Sequence, residues 1–414
     1  MTARHDSGAG LRIVRIANFV TPASGGLRTA LRELGAGYRA AGHEPVLIVP
    51  GPPRPDGAGT TARIHDEDTA QGRVITLPGP ELPGSGGYRM LTDRPRLQRL
   101  LHALAPDRLE VSDRTTLRWT GEWARRARVP AMMVSHESVD GVLRTWGVPQ
   151  PLARAAADRL NTRTAHAYSR VVCTTEWAAA EFTRVGARNV VRAPLGVDLD
   201  AWHPDCRSAA LRRRSAGRAE VLLLLCSRLS QEKRPGRALD ALAQLRRRGV
   251  DAALVVVGDG PLRTRLEARA RDERLPAAFL GHLADRPRLA ALQAAADVAL
   301  APGPAETFGL AALEALACGT PVVASAASAL AGLVGSGGDT ALDDGPSYAD
   351  AVQRVLARPE PARRAAARRR AEGYGWQPAV DAFLAAHDAP APLARPLAAA
   401  AAPYPAGPRG GWRR

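Results

Sequence analysis

Residues 301–325 read APGPAETFGLAALEALACGTPVVAS, and the fold is decided by how this stretch is read. A loop carrying Glu306 passes through Thr307-Phe308-Gly309-Leu310 into an apolar pattern of helical spacing that contains Glu314. Cys318-Gly319-Thr320-Pro321 makes a turn, and Val322-Val323-Ala324 reads as a strand. The order is loop, helix, turn, strand. This spacing sets Glu306 at the mouth of the helix and Glu314 about two turns inside it. Eight residues at about 100° each return to nearly the same side, so both acids can face one ligand. A carboxylate near a helix N-terminus is also favoured by the helix dipole, so simple capping stays open for Glu306.

The same alternation runs outward from this stretch. Before it, Val221–Cys226 is wholly apolar and reads as a strand covered on both faces. A loop at 227–236, a helix at 238–247, a strand at 253–257, a helix at 262–274, a short strand at 279–283, a helix at 288–295 and a strand at 298–300 follow. Beyond it, helices are expected at 348–356, 361–372 and 376–387. The first half repeats the theme, with strands at 11–19, 45–50, 108–112, 129–134, 171–175 and 189–193, and a hairpin at about 63–77. Helices are expected at 27–38, 93–104, 116–128, 152–169 and 176–185, and 207–218 reads as an exposed basic connection. Two consecutive series of this kind predict an α/β protein of two doubly wound, Rossmann-like domains with a cleft between them. The expected boundaries are 1–197, 198–372, a last helix at 373–387, and an Ala/Pro-rich tail at 388–414 that has no means to build a core.

Composition narrows the class of function. A chain of 414 residues is long for one core and suits two domains of about 200 residues. With 4% aromatic residues, a stacking platform for single-stranded nucleic acid is not expected. The net charge is +16, and Lys233 is the one lysine among 57 basic residues. Abundant Arg and Ala with almost no Lys reads most simply as coding bias, which leaves a solvated basic surface. The sharper alternative is attraction to an anionic partner, a nucleotide sugar or an acidic membrane surface. The arginines are spread along the chain without a nucleic-acid motif, so nucleic acid is not an expected partner. Cys173, Cys206, Cys226 and Cys318 form no C-x-x-C and read as apolar residues of a reducing compartment. The polar N-terminus and the absence of an apolar run near the roughly 20 residues of a membrane span predict a cytoplasmic protein, at most peripheral to the inner face of a membrane.

The chemistry-bearing residues collect at expected strand ends, where open α/β sheets bind their ligands. In the second half these are Arg228 and Lys233, Gly258-Asp259-Gly260, Gly281-His282, then Glu306 and Glu314. Two cations five residues apart suit a diphosphate, and Lys233 offers a compact, flexible point charge. The glycines let backbone approach a flat base. Glu314 can accept from two ribose hydroxyls, and Glu306 with the adjoining loop amides can take sugar hydroxyls. In the first half, Gly25-Gly26 open a helix after the first strand and can face an anion, although neither G-x-G-x-x-G nor a P-loop is present. A tight turn explains them equally well. His136 ends the 129–134 strand, either as a reacting-site group or as a structural histidine. Trp119 and Trp123 on the basic helix at 116–128 suit either an anionic lipid surface or the core.

Together these segments resemble a known family. SRLSQEKRPGRALDAL (227–242), VVVGDGP (255–261), FLGHL (279–283) and PAETFGLAALEALACGTPVVAS (304–325) look like the donor domain of retaining GT-B glycosyltransferases of family four, the group 1 type. SGGLRTALRELGAGYRAAGHEPVLIVPG (24–51), MMVSHES (132–138) and APLGVDLDAWHP (193–204) are similar to its N-terminal half, so the likeness covers roughly residues 11–387. It implies that Arg228 and Lys233 bind the donor diphosphate, Glu314 the ribose and Glu306 the sugar. It also implies that Gly25 and Gly26 approach the diphosphate and that His136 contacts the transferred sugar. Backbone near Gly260 and His282 would hold the base, Gly258, Thr307, Phe308, Gly309 and Leu310 would line the donor, and the helix at 376–387 would cross back to the first domain. The family transfers sugars with retention and without an essential metal or other cofactor, and no D-x-D metal motif is apparent here. Ala193-Pro194-Leu195 departs from the Pro-Asn often found at this hinge.

Within the family, RIANFVTPASGGLRTAL (15–31), VSDRTTLRWTGEWARR (111–126) and SHESVDG (135–141) look most like actinobacterial α-mannosyltransferases that use GDP-mannose on lipid-linked acceptors. The alternatives are a UDP-sugar donor with a soluble acceptor, a non-hydrolysing sugar-nucleotide epimerase, and a non-catalytic nucleotide-sugar-binding module. An epimerase gives no reason for Arg228 and Lys233 beside Glu306 and Glu314.

Overall fold

The computed structural model describes residues 10–20, 25–52, 64–82, 87–136, 138–145 and 147–388. The first eight strands are β1 (Arg12–Ile16), β2 (Glu44–Gly51), β3 (His65–Thr69), β4 (Gly72–Pro78), β5 (Arg108–Val111), β6 (Ala131–Ser135), β7 (Arg170–Cys173) and β8 (Val190–Arg192). They form one sheet in the order β3-β4-β2-β1-β5-β6-β7-β8, parallel except for β3, which makes the expected hairpin with β4. The other six are β9 (Val221–Cys226), β10 (Ala252–Val257), β11 (Ala277–Gly281), β12 (Val298–Ala301), β13 (Val322–Ser325) and β14 (Gly338–Ala341). They form a wholly parallel sheet ordered β11-β10-β9-β12-β13-β14. Each sheet reverses its winding beside its first strand, between β1 and β5 and between β9 and β12. Loops diverge there and leave a crevice at the carboxyl ends of the strands. Central strands are apolar because helices cover both faces, and Leu222–Leu225 of β9 are buried throughout. The edge strand β3, HDEDT, is charged and largely exposed, which discourages pairing with another chain.

Several local expectations are corrected. The first strand stops at Ile16, and residues 17–20 belong to the loop that follows it. Residues 207–218 are no plain connection: Ala209–Ala216 is helical, and the Ser208 hydroxyl accepts from the Leu211 amide at 3.2 Å. Helices Val139–Thr145 and Leu330–Val334 and strand β14 were not foreseen. Trp123 packs in the core with its ring edge-on to His102, and the half-buried Trp119 is covered by the Arg94 guanidinium. Trp123 is therefore a core residue, while Trp119 packs on the edge of that core and stays partly exposed. Among the described residues no helix is long and apolar enough to cross a membrane. The tail at 389–414 lies outside the described residues.

The last helix, Trp376–Ala386, packs on the first domain against helix Gly26–Ala40, and a Cβ on Gly37 would sit 2.2 Å from Val380 Cγ2. A buried charge cluster marks its end. Arg15, in the middle of β1 and 1% exposed, donates through Nε to Glu110 Oε1 of β5 at 3.0 Å. The other Glu110 oxygen accepts from the Tyr38 hydroxyl at 2.8 Å and from His387 Nε2 at 3.2 Å. Burial alone would raise the Glu110 carboxyl, but Arg15, His387 and Tyr38 bring it down to about 2. Arg108 and Arg170 donate to the carbonyls of His387 and Ala386 at 2.6 and 2.8 Å, closing the helix C-terminus with charge of the favourable sign.

Candidate active site

The second-domain loops are locked to one another by main chain. Residues 227–229 after β9 cross 258–260 after β10: Ser227 N donates to Val257 O at 3.0 Å, and Leu229 N to Asp259 O at 2.9 Å. A Cβ on Gly258 would lie 1.9 Å from Ser227 O, and one on Gly260 would lie 2.6 Å from Leu229 O. These two glycines are therefore explained inside the protein, by backbone meeting backbone. Arg228 leaves this crossing half-buried, and its Nη2 donates to Glu232 Oε1 at 3.0 Å. His282, after β11, is exposed.

Glu306 and Glu314 occupy different environments. The helix begins only at Leu310, after Gly309 in the left-handed region at φ +75°, so helical periodicity does not connect the two acids. Glu306 stays in the loop and accepts from Lys233 Nζ at 2.5 Å. Burial opposes its charge, but the Lys233 ammonium, with Arg228 behind it, holds its carboxyl below the ordinary range. Glu314 sits in the helix. Burial pushes its carboxyl up to about 7, against the pull of Arg286, Gln293 and Arg32. Gly309 is required both by its φ and by space, since a Cβ would lie 2.5 Å from Leu330 Cδ2. Phe308 and Leu310 turn their side chains into the core, where Phe308 meets Tyr374 edge-on. Only their main chain is left for a ligand. Within the described residues no hydrogen bond occupies the amides of Phe308, Gly309 and Leu310 at this helix start.

The first domain faces these loops directly. The Thr307 hydroxyl donates to the His136 carbonyl across the cleft. His136 Nε2 lies 3.1 Å from Ser112 Oγ, and burial lowers the imidazole to about 4, leaving it neutral at pH 7. Gly25 and Gly26 start helix Gly26–Ala40, and a Cβ on either would meet nothing within 4 Å. Gly25 has an ordinary φ of −70°. Neither conformation nor packing within the described residues demands glycine at these positions. Arg286 lies 3.9 Å from Glu33 of that helix, a second link between the domains. The Arg228 guanidinium lies over the ring of Tyr88, a third. The structure thus gathers Arg228, Lys233, Glu306, Thr307 and His136 in one cleft. Among the described residues no group of three or more His, Cys, Asp or Glu could hold a metal ion.

Residues 211–372 match the family described as Glycosyl transferases group 1, and residues 25–197 match the Glycosyl transferase 4-like domain. The chain is also 48% identical over 377 residues to a GDP-mannose-dependent alpha-(1-6)-phosphatidylinositol dimannoside mannosyltransferase of Mycobacterium tuberculosis, across 91% of this chain and 95% of that one. It belongs to the group 1 glycosyltransferases. A second relative of this transferase, a GDP-mannose-dependent alpha-mannosyltransferase of Mycolicibacterium smegmatis, is 30% identical over 76% of this chain and 79% of its own. Among solved structures, HepE of Anabaena in complex with UDP and glucose matches with a TM-score of 0.69 at 20% identity, over 91% of this chain and 98% of that one. The sucrose-phosphate synthase of Thermosynechococcus elongatus matches with a TM-score of 0.70 at 22% identity, over 89% and 96%. The fold of the transferase is GT-B. The epimerase and the non-catalytic module are set aside by this membership.

Four further side chains of the transferase cleft were not expected as site residues: Glu232, Ser112, Arg286 and Tyr88. Glu232 was within reach, since it stands four residues after Arg228, a spacing that pairs opposite charges across one helical turn. The others act across long sequence separations, and no local pattern marks them.

Proposed function

We propose that this glycosyltransferase moves mannose from GDP-mannose to a glycolipid acceptor of the phosphatidylinositol mannoside type, with retention of configuration. One observation carries the reading. The lone lysine, Lys233, is ion-paired to Glu306 at the strand ends of a chain 48% identical to a GDP-mannose-dependent mannosyltransferase. The M. tuberculosis relative acts on a phosphatidylinositol dimannoside, and it is matched over nearly its whole length.

The residues divide the work as follows. The bond from the anomeric carbon to the diphosphate breaks while the bond to the acceptor hydroxyl forms on the same face. The leaving phosphate oxygen gathers charge and takes the acceptor proton. Arg228 and Lys233 stabilise that charge, aided by the amides at the start of helix Leu310–Ala317, which are open among the described residues, and by Gly25 and Gly26 opposite. The space left open at both glycines among the described residues supports an approach by ligand. Lys233 bridges Glu306 and the diphosphate as the donor enters, and Glu306 accepts from sugar hydroxyls. Glu314, once ionised, accepts from the ribose diol. The neutral His136 ring, fixed by Ser112, meets the sugar by hydrogen bonding rather than by charge. No metal and no further cofactor take part. The enzyme works in the cytoplasm at the inner face of a membrane, held there by its basic surface.

The test is a donor screen with GDP-mannose, UDP-sugars and ADP-sugars against a phosphatidylinositol mannoside acceptor, with and without EDTA. Transfer from GDP-mannose that survives EDTA, giving the α-anomer, is expected. Preference for a UDP-sugar refutes the donor, and loss of transfer in EDTA refutes the metal-free step.

A further inference from the structure

Arg228 is anchored in one domain and oriented by the other. Its guanidinium carbon lies 4.9 Å from the ring centroid of Tyr88. Tyr88 in turn meets Phe19 edge to face, with centroids 6.0 Å apart and planes at 89°. Phe19 follows β1 and has φ +60°, a left-handed conformation that a bulky side chain adopts only where its surroundings impose it. Those surroundings are visible. Asn18 accepts from the Leu91 amide at 2.9 Å and donates to Asp113 and Thr116 at 2.9 and 2.8 Å. The Phe19 amide donates to Arg89 O at 3.3 Å, and Arg89 pairs with Glu81 at 2.9 Å. Both rings are therefore set by the first domain's own framework.

We propose that Tyr88 is a positioning residue for the donor diphosphate: its ring holds the Arg228 guanidinium across the cleft and so makes the cation's aim depend on the two domains facing each other. A cation–π contact uses the face of the guanidinium and leaves its in-plane N–H groups for an anion. One of these meets Glu232, and no other acceptor among the described residues takes the rest. Stacking of this kind orients the cation without occupying the donors a phosphate needs. Glu232 fixes one edge from the same loop, and Tyr88 fixes the plane from the opposite domain.

The inference rests on the reading of Arg228 as a diphosphate ligand. The test is calorimetric titration of GDP into the full chain and its variants. Tyr88→Ala is expected to weaken GDP roughly three- to tenfold, the range of a partly exposed cation–π contact. Tyr88→Phe keeps the π face and should stay within about twofold of the wild type. Tyr88→Leu keeps apolar bulk against Phe19 but loses the π face, and should behave like Tyr88→Ala. In an Arg228→Ala background, removing the ring should cost nothing more. Wild-type affinity in Tyr88→Leu, a loss in Tyr88→Phe as large as in Tyr88→Ala, or additive losses in the double variant would each overturn the inference while leaving Arg228 as a ligand. Unchanged affinity in Arg228→Ala would overturn the donor reading of Arg228 and the inference together.

Discussion

At the residue scale, Glu306 and Glu314 have the same chemistry and opposite electrostatics. Glu314 titrates at about 7 against an ordinary 4.5, so between those values the folded chain keeps a proton that the unfolded chain has lost. Its contribution to stability is therefore full below 4.5 and falls as pH rises through 7. The proposed ribose contact runs the other way, because only the ionised carboxylate accepts from both hydroxyls. The donor kcat/KM should rise from pH 6 to 8, and Glu314→Gln should flatten that rise and lower donor affinity at pH 8 by about tenfold or more. A pH profile unchanged in Glu314→Gln would remove Glu314 from the ribose. In the proposed role of Lys233, Lys233→Ala removes a diphosphate ligand; it also strands Glu306, and should cut kcat/KM at least about tenfold, or ~1.4 kcal/mol. Near-normal turnover would end the diphosphate role. Both acids and both cations were legible in the sequence because they follow strands in a recognisable order. The raised carboxyl of Glu314 was not, because it depends on burial, opposed by Arg286, Gln293 and Arg32, which stand far off in the chain. Gly258 and Gly260 were legible as glycines, but their cause is a neighbouring loop rather than a ligand.

At the scale of elements, long apolar strands such as β9 and β10 were readable because burial on both faces leaves one kind of residue. Short elements were not. Helix Val139–Thr145 and strand β14 carry too few periods to stand out, and they form because flanking elements cover them. The burial of Arg15 in the core was not legible, since a charge inside a strand looks like an exposed face until its partner is known. That partner, Glu110, is one strand over, and His387 reaches the same carboxylate from the far end of the chain. Glu110→Gln leaves the Arg15 cation buried without its counter-charge and should cost about 3–5 kcal/mol in urea unfolding. It should also loosen the last helix, so limited proteolysis should cut near Trp376–Ala386 sooner than in the wild type. With its carboxyl at about 2 in the folded chain, Glu110 contributes its stabilisation above 4.5, and that contribution is lost as pH falls through 2. A loss below about 1 kcal/mol with unchanged proteolysis would show that the cluster does not tie the helix down.

At the scale of the whole molecule, the +16 charge is not spread evenly over function. Many arginines of the second domain are balanced by acids, as in Arg237 with Asp240 and Asp343 or Arg269 with Asp240 and Glu273. On the first domain, helices Arg94–Leu104 and Trp119–Ala127 pack into one apolar cluster and turn Arg94, Arg99, Arg125 and Arg126 outward. Helix Gln150–Ala167 adds the exposed Arg154, Arg159 and Arg163, with Leu152 exposed beside them. Since Trp123 is committed to the core and the Trp119 ring is covered by Arg94, membrane contact of this face is expected to be carried mainly by charge. Each such arginine near an anionic surface contributes about 1 kcal/mol, and that attraction fades beyond a Debye length of about 8 Å at physiological salt. The full chain should therefore sediment with vesicles rich in phosphatidylinositol at low salt and leave them as salt rises, with little binding to neutral phosphatidylcholine vesicles. Replacing Arg125, Arg126, Arg159 and Arg163 together by Ser should abolish sedimentation and leave GDP affinity in solution unchanged, because none of them lies in the cleft. Binding that persists in high salt would mean apolar insertion instead, and binding unaffected by the fourfold variant would move the contact to another face.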